Sequence, residues 1–203
     1  MTTIDLVKEH PELYKGKAEW REVIVPERTF LSVEGTGSPD GPAYADALQA
    51  LYSTAYTLKF TRKKAGRDDF KVAPLEGLWW AENYAAFVQA TQDKDSWKWR
   101  ALIPVPEFVT TDEVAQAVAA ARLKHPFGSE VSLWTYTEGR CLQYYWVGPY
   151  SDEQEVLLPL HSGGLEAMGL VESGLHHEIY LSDPRRTAPE KLKSVLRQPV
   201  KAR

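Results

Sequence analysis

The sequence lacks the features that define several classes of protein. Its 203 residues include one cysteine, Cys141, which excludes an internal disulfide and a CxxC metal site. No apolar run approaches the roughly 18 residues of a membrane span. Glycine-rich phosphate loops and the Gly-x-Ser-x-Gly and His-Glu-x-x-His motifs are also missing. We therefore expect no metal, no cofactor and no membrane partner, and we expect Cys141 to be a small core residue.

Positive charge is not in excess either. The formal net charge is −4, whereas nucleic-acid-binding proteins usually need a basic surface to neutralise phosphates. The N-terminus has no basic segment followed by an apolar one, so no secretory signal is predicted. These observations argue against a nucleic-acid partner and leave a cytoplasmic location as the default. The sequence does not fix the oligomeric state, and a monomer is favoured.

Aromatic residues, in contrast, are abundant. Seven Trp, ten Tyr and six Phe are concentrated in a few segments. Such side chains bury large areas in a core, and their rings can also face a ligand. Composition alone leaves both uses open.

The pattern of apolar and turn-forming residues predicts an α+β fold in one domain over residues 1–203, with 1–26 as an extended lead-in. Strands are predicted at 28–34, 78–84, 97–104, 130–137, 140–147 and 176–182, with a hairpin around Glu138-Gly139. Helices are predicted from Pro42 to about residue 64, from 111 to 124 after a Thr110–Glu113 capping box, from Ser151 toward Met168, and after Thr187. A faint repeat of strand, helix and strand suggests two copies of one unit with a cleft between them.

The strand that contains Glu178 is the most informative segment. Alternation places His176, Glu178 and Tyr180 on one face and His177 and Ile179 on the other. The two histidines therefore cannot chelate one metal together. The acidic face is either a solvent-facing surface or the wall of a cavity. In a cavity, the carboxylate would accept a proton or pair with a cationic ligand.

Other aromatic residues are candidates for the walls of such a cavity. Trp79 and Trp80 point to opposite faces of their strand, so at least one belongs to the core. Tyr145 lies on one face of its strand and Trp146 on the other. Tyr52 and Tyr56 form a pair at helical spacing. Each of these is typical of a core, but together they exceed what one core needs, which favours a ligand pocket.

Six segments of the chain carry a resemblance to a known family. They are residues 25–35 (VPERTFLSVEG), 51–56 (LYSTAY), 74–79 (PLEGLW), 106–110 (PEFVT), 147–150 (VGPY) and 178–187 (EIYLSDPRRT). The chain resembles the GyrI-like small-molecule-binding proteins over nearly its whole length. The absence of a helix-turn-helix segment before the domain makes it most similar to the stand-alone members.

The resemblance implies two β-α-β-β modules related by a pseudo-twofold axis, with a ligand cleft between them. It implies that Glu178 is the central acid of the pocket. In related multidrug-sensing regulators this acid receives flat, cationic drugs, and some stand-alone members hydrolyse cyclopropane-bearing, DNA-alkylating compounds. Trp146 is a departure, because related stand-alone members usually carry a histidine there. A role that depends on that histidine is therefore in doubt.

Three functions follow from the resemblance and stay open at this level. The first is detoxifying hydrolysis of a cyclopropanoid, in which Glu178 is the base, Tyr145 or Tyr56 donates to the developing oxyanion, and Trp79 or Trp80 stacks on the drug. The second is a sensor or sequestering module for aromatic cations, with Trp146, His176 and Tyr180 around the acid. The third is an interaction protein that inhibits gyrase. The enzymatic reading is therefore one alternative among three.

Overall fold

The computed structural model describes residues 2–81 and 94–203. The strands are β1 (Thr3–Ile4), β2 (Arg21–Thr36), β3 (Asp69–Phe70), β4 (Leu75–Trp80), β5 (Lys98–Val105), β6 (Ser132–Val147), β7 (Leu170–Glu172), β8 (His176–Tyr180) and β9 (Lys193–Ala202). The helices are α1 (Leu6–Glu9), α2 (Pro11–Tyr14), α3 (Pro42–Lys64), α4 (Thr111–Lys124), α5 (Gln154–Pro159) and α6 (Leu165–Ala167). This mixture of helices and antiparallel strands confirms the α+β class.

The sheet closes on itself into a barrel. Its strands follow the order β6, β2, β5, β4, β8 and β9, and β9 pairs with β6 to complete the circle. Every one of these neighbouring pairs is antiparallel. The short strand β7 extends the sheet beyond β9. A closed barrel leaves few unpaired strand edges and gives each strand an inner and an outer face.

Two predicted elements are wrong. The expected hairpin around Glu138-Gly139 is one continuous strand, β6, because β2 is long enough to pair with both of its halves. Gly139 has φ 72°, so it bends the strand without reversing it. The expected helix after Thr187 is a short 3₁₀ turn, Pro189–Lys191, followed by β9. There the ladders to β6 and β8 override the local capping signal.

Other predictions are confirmed or adjusted. Helix α3 begins at Pro42, and α4 has the predicted capping box between Thr110 and Glu113. The lead-in is shorter than expected, because two short helices precede β2, which already begins at Arg21. Ser151 does not cap α5, since its hydroxyl donates to Asp152. The last three residues of the predicted strand 78–84 lie outside the described residues.

The outer face of the barrel carries the main apolar core. Helix α3 packs Ala47, Leu51 and Leu58 against residues of β2 and β5 such as Leu31 and Ile103. Tyr52 and Tyr56, the pair at helical spacing, are 37% and 48% exposed. Helix α3 therefore has one buried face and one aromatic face directed outward.

The barrel interior is plugged at one end by the N-terminal helices. Leu13 and Tyr14 of α2 pack against Cys141, Ile179 and Val195. Cys141 is fully buried, as predicted, and burial raises the pKa of its thiol. This end of the barrel is apolar, and the charged side chains lie further inside.

A network of buried charges fills the middle of the barrel. Arg197 donates to Glu138 at 2.7 Å, and Nδ1 of His177 lies 2.9 Å from the same carboxylate. The other ring nitrogen of His177 lies 3.1 Å from Oε2 of Glu76. Burial opposes ionisation of Glu138, yet the charges of His177 and Arg197 lower its pKa to about 2. Burial also disfavours the imidazolium, yet Glu138 and Glu76 raise the pKa of His177.

The same network holds the N-terminal plug in place. The hydroxyl of Tyr14 donates to Glu76 at 3.1 Å and accepts from Arg28 at 2.6 Å. Arg197 also donates to the backbone oxygen of Leu13 at 3.0 Å. Opposite charges inside the barrel therefore satisfy one another and anchor α2, as buried charges require.

Candidate functional site

Strand β8 directs its residues to two different environments. Glu178 and Tyr180 face the outer side, where Tyr180 packs against the core beneath α3, while Ile179 points into the barrel interior. This is the alternation that the sequence predicts. The side chain of Glu178 is 15% exposed, so most of it is covered by neighbouring residues.

Two neighbours on the same strand fix the carboxylate of Glu178. The hydroxyl of Tyr180 donates to Oε2 at 2.7 Å, and Nε2 of His176 lies 3.2 Å from Oε1. The indole of Trp79 then donates to the hydroxyl of Tyr180 at 2.9 Å. A chain of hydrogen bonds thus runs from Trp79 through Tyr180 to Glu178. Burial and the charge of Glu178 raise the pKa of Tyr180, so this phenol stays protonated as a donor.

The strand next to β8 leaves room for this chain. Gly77 of β4 pairs directly with Glu178. A Cβ atom at Gly77 would lie 2.7 Å from Nε1 of Trp79 and 3.3 Å from the hydroxyl of Tyr180. Gly77 is therefore the position where a missing side chain lets the indole reach across to Tyr180.

A second carboxyl group, that of Glu153, lies on the same face. Glu153 follows the 3₁₀ turn Tyr150–Asp152 and accepts a hydrogen bond from Ser194 at 2.6 Å. Ser194 pairs with Tyr180 across the β8–β9 ladder. Glu153 is 3% exposed, and burial together with the charge of Glu178 raises its pKa well above the usual range. The site therefore combines a partly exposed carboxyl group, that of Glu178, with the buried carboxyl group of Glu153, whose pKa is raised.

Aromatic rings from three elements surround these acids. The ring of Tyr44 in α3 lies 5.3 Å from that of Trp79, and Trp97 lies 5.8 Å from Trp79 on another side. Tyr150 meets Tyr180 edge-on at 5.4 Å. Burial, followed by the charges of Glu153 and Glu178, raises the pKa of Tyr150 to about 12. The surroundings of the acids are therefore apolar rings with protonated phenols, as in many small-molecule sites.

The structure brings some of the predicted site residues together. Trp79, His176 and Tyr180 all lie at Glu178. Trp146 is on the same face, because it pairs with Ser194 on the side opposite Tyr180. Its indole donates to the backbone oxygen of Pro149 at 3.1 Å.

Other predicted residues lie elsewhere. Tyr145 packs with Ile179 and Val195 on the opposite face of the sheet, so it cannot serve as a donor beside Glu178. Trp80 belongs to the interior cluster around Leu78. Tyr52 and Tyr56 line a groove of about 560 Å³ on the outside of α3. In the described ranges, 2–81 and 94–203, no cluster of three or more His, Cys, Asp or Glu side chains is suited to a metal ion.

Sequence reasoning missed Glu153 and Tyr44. Glu153 is 41 residues from its partner Ser194, and it belongs to a turn that the local pattern presents as a helix start. Tyr44 packs in the core cluster beneath α3, and its ring also meets that of Trp79. Only the pairing of β8 with β9 brings Ser194, and with it Glu153, to Glu178.

A closed α+β barrel with an acid held among aromatic rings defines a class of small-molecule-binding proteins. The sequence pattern of the GyrI-like small molecule binding domain matches residues 19–201, and the chain therefore belongs to that family. This finding confirms the resemblance seen in the sequence. Comparison with curated proteins finds no match.

Solved structures support the same assignment. An uncharacterized conserved protein from Listeria innocua is 40% identical, with a TM-score of 0.89, and the alignment covers 98% of this chain and 100% of that one. A hydrolase from Listeria innocua is 39% identical, with a TM-score of 0.86 and the same coverage. The C-terminal domain of EcmrR is 12% identical with a TM-score of 0.61 over 94% of this chain and 99% of that one, a likeness of fold alone. In the part of the chain that the structure describes, no helix has the length and apolar character needed to cross a membrane.

Proposed function

We propose that the protein hydrolyses a hydrophobic, planar electrophile at the face of Glu178. The observation that carries this proposal is the pair of carboxyl groups, Glu178 and Glu153, in unlike environments beneath aromatic rings. General acid–base chemistry needs one group to take a proton and another to give one. The hydrolases from Listeria innocua, at 38% and 39% identity, support the same reaction class.

The resemblance to cyclopropanoid hydrolases gives the proposal a concrete substrate. A dienone with a fused cyclopropane opens when water attacks a ring carbon. The attacking water loses its proton to Glu178, the carbon–carbon bond of the ring breaks, and its electron pair moves through the dienone to the carbonyl oxygen. That oxygen receives a proton from Glu153, so the product is a phenol with a new alcohol.

The remaining residues of the site hold these groups in position. Tyr180 and His176 orient the carboxylate of Glu178, and the hydrogen bond from Trp79 orients Tyr180. The partly exposed ring of Tyr150 offers a flat apolar surface to a planar substrate, and the buried rings of Tyr44 and Trp79 pack behind the site. Glu153 takes the donor role that the sequence suggested for Tyr145, which lies on the opposite face of the sheet.

The test is turnover of a cyclopropane-fused dienone, followed as the water adduct by mass spectrometry. We expect the purified protein to form the adduct faster than buffer does. Glu178→Gln should lower the rate by about 10²–10⁴-fold, the usual contribution of a positioned base. Glu155→Gln is the matched control, because Glu155 is an exposed residue of α5, and it should leave the rate unchanged. Equal rates in wild type and Glu178→Gln would refute the proposal.

One observation favours a second function, which is binding without turnover. Glu178 places a carboxylate among the rings of Trp79, Tyr44 and Tyr150, and such rings attract cations through their faces. This role predicts that planar cationic dyes raise the melting temperature of the wild type and fail to do so in Glu178→Gln. Turnover of the neutral dienone with no response to the dyes would exclude it.

A further inference from the structure

The outward side of α3 carries an aromatic row whose first member, Tyr52, is an electrostatic neighbour of Tyr44 and Tyr150 in the candidate site. Tyr52, Tyr56 and Phe60 follow one another at four-residue spacing and are 37%, 48% and 57% exposed. The rings of Tyr56 and Phe60 are nearly parallel, at 22° and 6.2 Å between centroids. Exposed apolar side chains in a contiguous row on a soluble protein commonly mark a binding surface.

This row is the floor of the groove of about 560 Å³, a volume in the range of small-molecule sites. Hydroxyl groups of Ser53, Thr57 and Thr61 lie along it, and Lys64, Lys124 and His125 complete its lining. The groove is thus formed by α3 together with the C-terminal end of α4. Among the lining residues that the structure describes, none is a carboxylate.

The two lysines of the groove, Lys64 of α3 and Lys124 of α4, differ from Lys59 and Arg62 of α3, whose charges are paired. Lys59 pairs with Asp69, and Arg62 pairs with Glu113. Within residues 2–81 and 94–203, Lys64 and Lys124 have no ion-pair partner, and both are exposed. Their charge is therefore available to a ligand, although the whole chain is acidic, with a net charge of −4.

We propose that this groove is a second binding site, selective for planar aromatic anions. The rings of Tyr56 and Phe60 supply a stacking surface, and Lys64 and Lys124 bind the acidic group. Its charge preference is the opposite of that at Glu178, where a carboxylate repels anions. The two sites thus accept different classes of ligand, and this proposal does not depend on the function proposed for Glu178.

A matched pair of fluorescent probes tests the proposal. 1-Anilinonaphthalene-8-sulfonate is an aromatic anion with a planar naphthalene ring, and N-phenyl-1-naphthylamine is the same ring system without the sulfonate. We expect the anion to bind wild type more tightly than the neutral probe. The double variant Lys64→Glu/Lys124→Glu should weaken binding of the anion by about tenfold, since two exposed charge contacts each contribute modestly. It should change the affinity for the neutral probe by less than about twofold.

Three controls make the result specific to the groove. Phe60→Ala should weaken both probes, and because Phe60 is largely exposed, the variant should fold normally. Lys63→Glu/Lys201→Glu makes the same change in net charge at exposed lysines outside the groove and should leave binding unchanged. Glu178→Gln should also leave it unchanged.

Several outcomes would overturn the proposal. The affinity for the anion should depend on Lys64 and Lys124. If it is unchanged in Lys64→Glu/Lys124→Glu, or falls equally in the Lys63→Glu/Lys201→Glu control, the groove is not the binding site. Loss of binding in Glu178→Gln would show that the probe binds at the Glu178 site and not in the groove. A dimer in sedimentation that dissociates in Phe60→Ala would show that a second copy of the chain occupies the groove instead.

Discussion

The absence of a side chain at Gly77 determines the hydrogen bonding of the candidate site. Gly77 lies opposite Glu178 in the β4–β8 ladder, and its lack of a side chain allows the indole of Trp79 to reach Tyr180. The hydrogen bonds that orient Glu178 therefore depend on Gly77, although Gly77 has no side chain and takes no part in them.

Gly77→Ala should disrupt this arrangement. The new methyl group would lie 2.7 Å from Nε1 of Trp79, so the indole must move and its hydrogen bond to Tyr180 is lost. We expect a loss of about 1–3 kcal/mol in the free energy of unfolding, the usual cost of overpacking, measured by denaturant titration. Gly128→Ala is the control, because its nearest side-chain contact would be an ordinary 3.8 Å. Equal stability of the two variants would contradict the close packing at Gly77.

At the same scale, alternation in β8 was enough to predict the residues around Glu178. His176, Glu178 and Tyr180 share a face because consecutive strand residues point to opposite sides. Glu153 could not be predicted in this way, since it belongs to a turn and reaches the site only through Ser194 of another strand. Tyr145, which the sequence suggested as a donor, lies on the other face of the sheet, and the sequence does not reveal which face of β6 meets the acid.

Elements with strong local signals agree between sequence and structure. Helix α3 begins at Pro42 and α4 at the Thr110 capping box, because each start depends on residues within one turn of the chain. The helix predicted from Ser151 toward Met168 is interrupted in the structure, where Gly163 has φ 140°.

For elements that depend on pairing with distant strands, the sequence prediction and the structure differ. Gly139 has the positive φ of a turn residue, yet β6 continues through it because β2 pairs on both sides. The segment after Thr187 has the local pattern of a helix start, but ladders to β6 and β8 make it the strand β9. Since β9 closes the barrel and presents Ser194 to Glu153, this one error concealed both the closure and half of the candidate site.

The whole barrel depends on the charges in its interior. Glu138, His177 and Arg197 are nearly or fully buried and pair with one another. Breaking such a cluster leaves an uncompensated charge in an apolar environment, which typically costs about 3–5 kcal/mol. The free energy of unfolding should therefore depend on the protonation states of these groups.

Acid should destabilise the protein through Glu138. Its pKa is lowered to about 2 in the folded state, so its contribution is complete above the ordinary value of about 4.5 and is lost as pH falls toward 2. His177 has the opposite sign, because its raised pKa gives stability at low pH that disappears as pH rises through that pKa.

The measurement is the free energy of unfolding as a function of pH in wild type and Glu138→Gln. We expect the variant to be about 3–5 kcal/mol less stable near neutral pH and to show a shallower acid decline between about pH 4.5 and 2. Glu130→Gln changes an exposed carboxylate and should behave like wild type. Parallel acid curves for wild type and Glu138→Gln would contradict this account.

The pH dependence of kcat/KM for the cyclopropane-fused dienone tests the pairing of Glu178 with Glu153 most directly. Because burial and the charge of Glu178 raise the pKa of Glu153, the wild type should lose activity at the alkaline side as this acid gives up its proton. Glu153→Gln should be slower and should lack that alkaline decline, while Glu155→Gln should retain the wild-type profile. An alkaline decline that persists unchanged in Glu153→Gln would show that the two carboxyl groups do not act as base and acid.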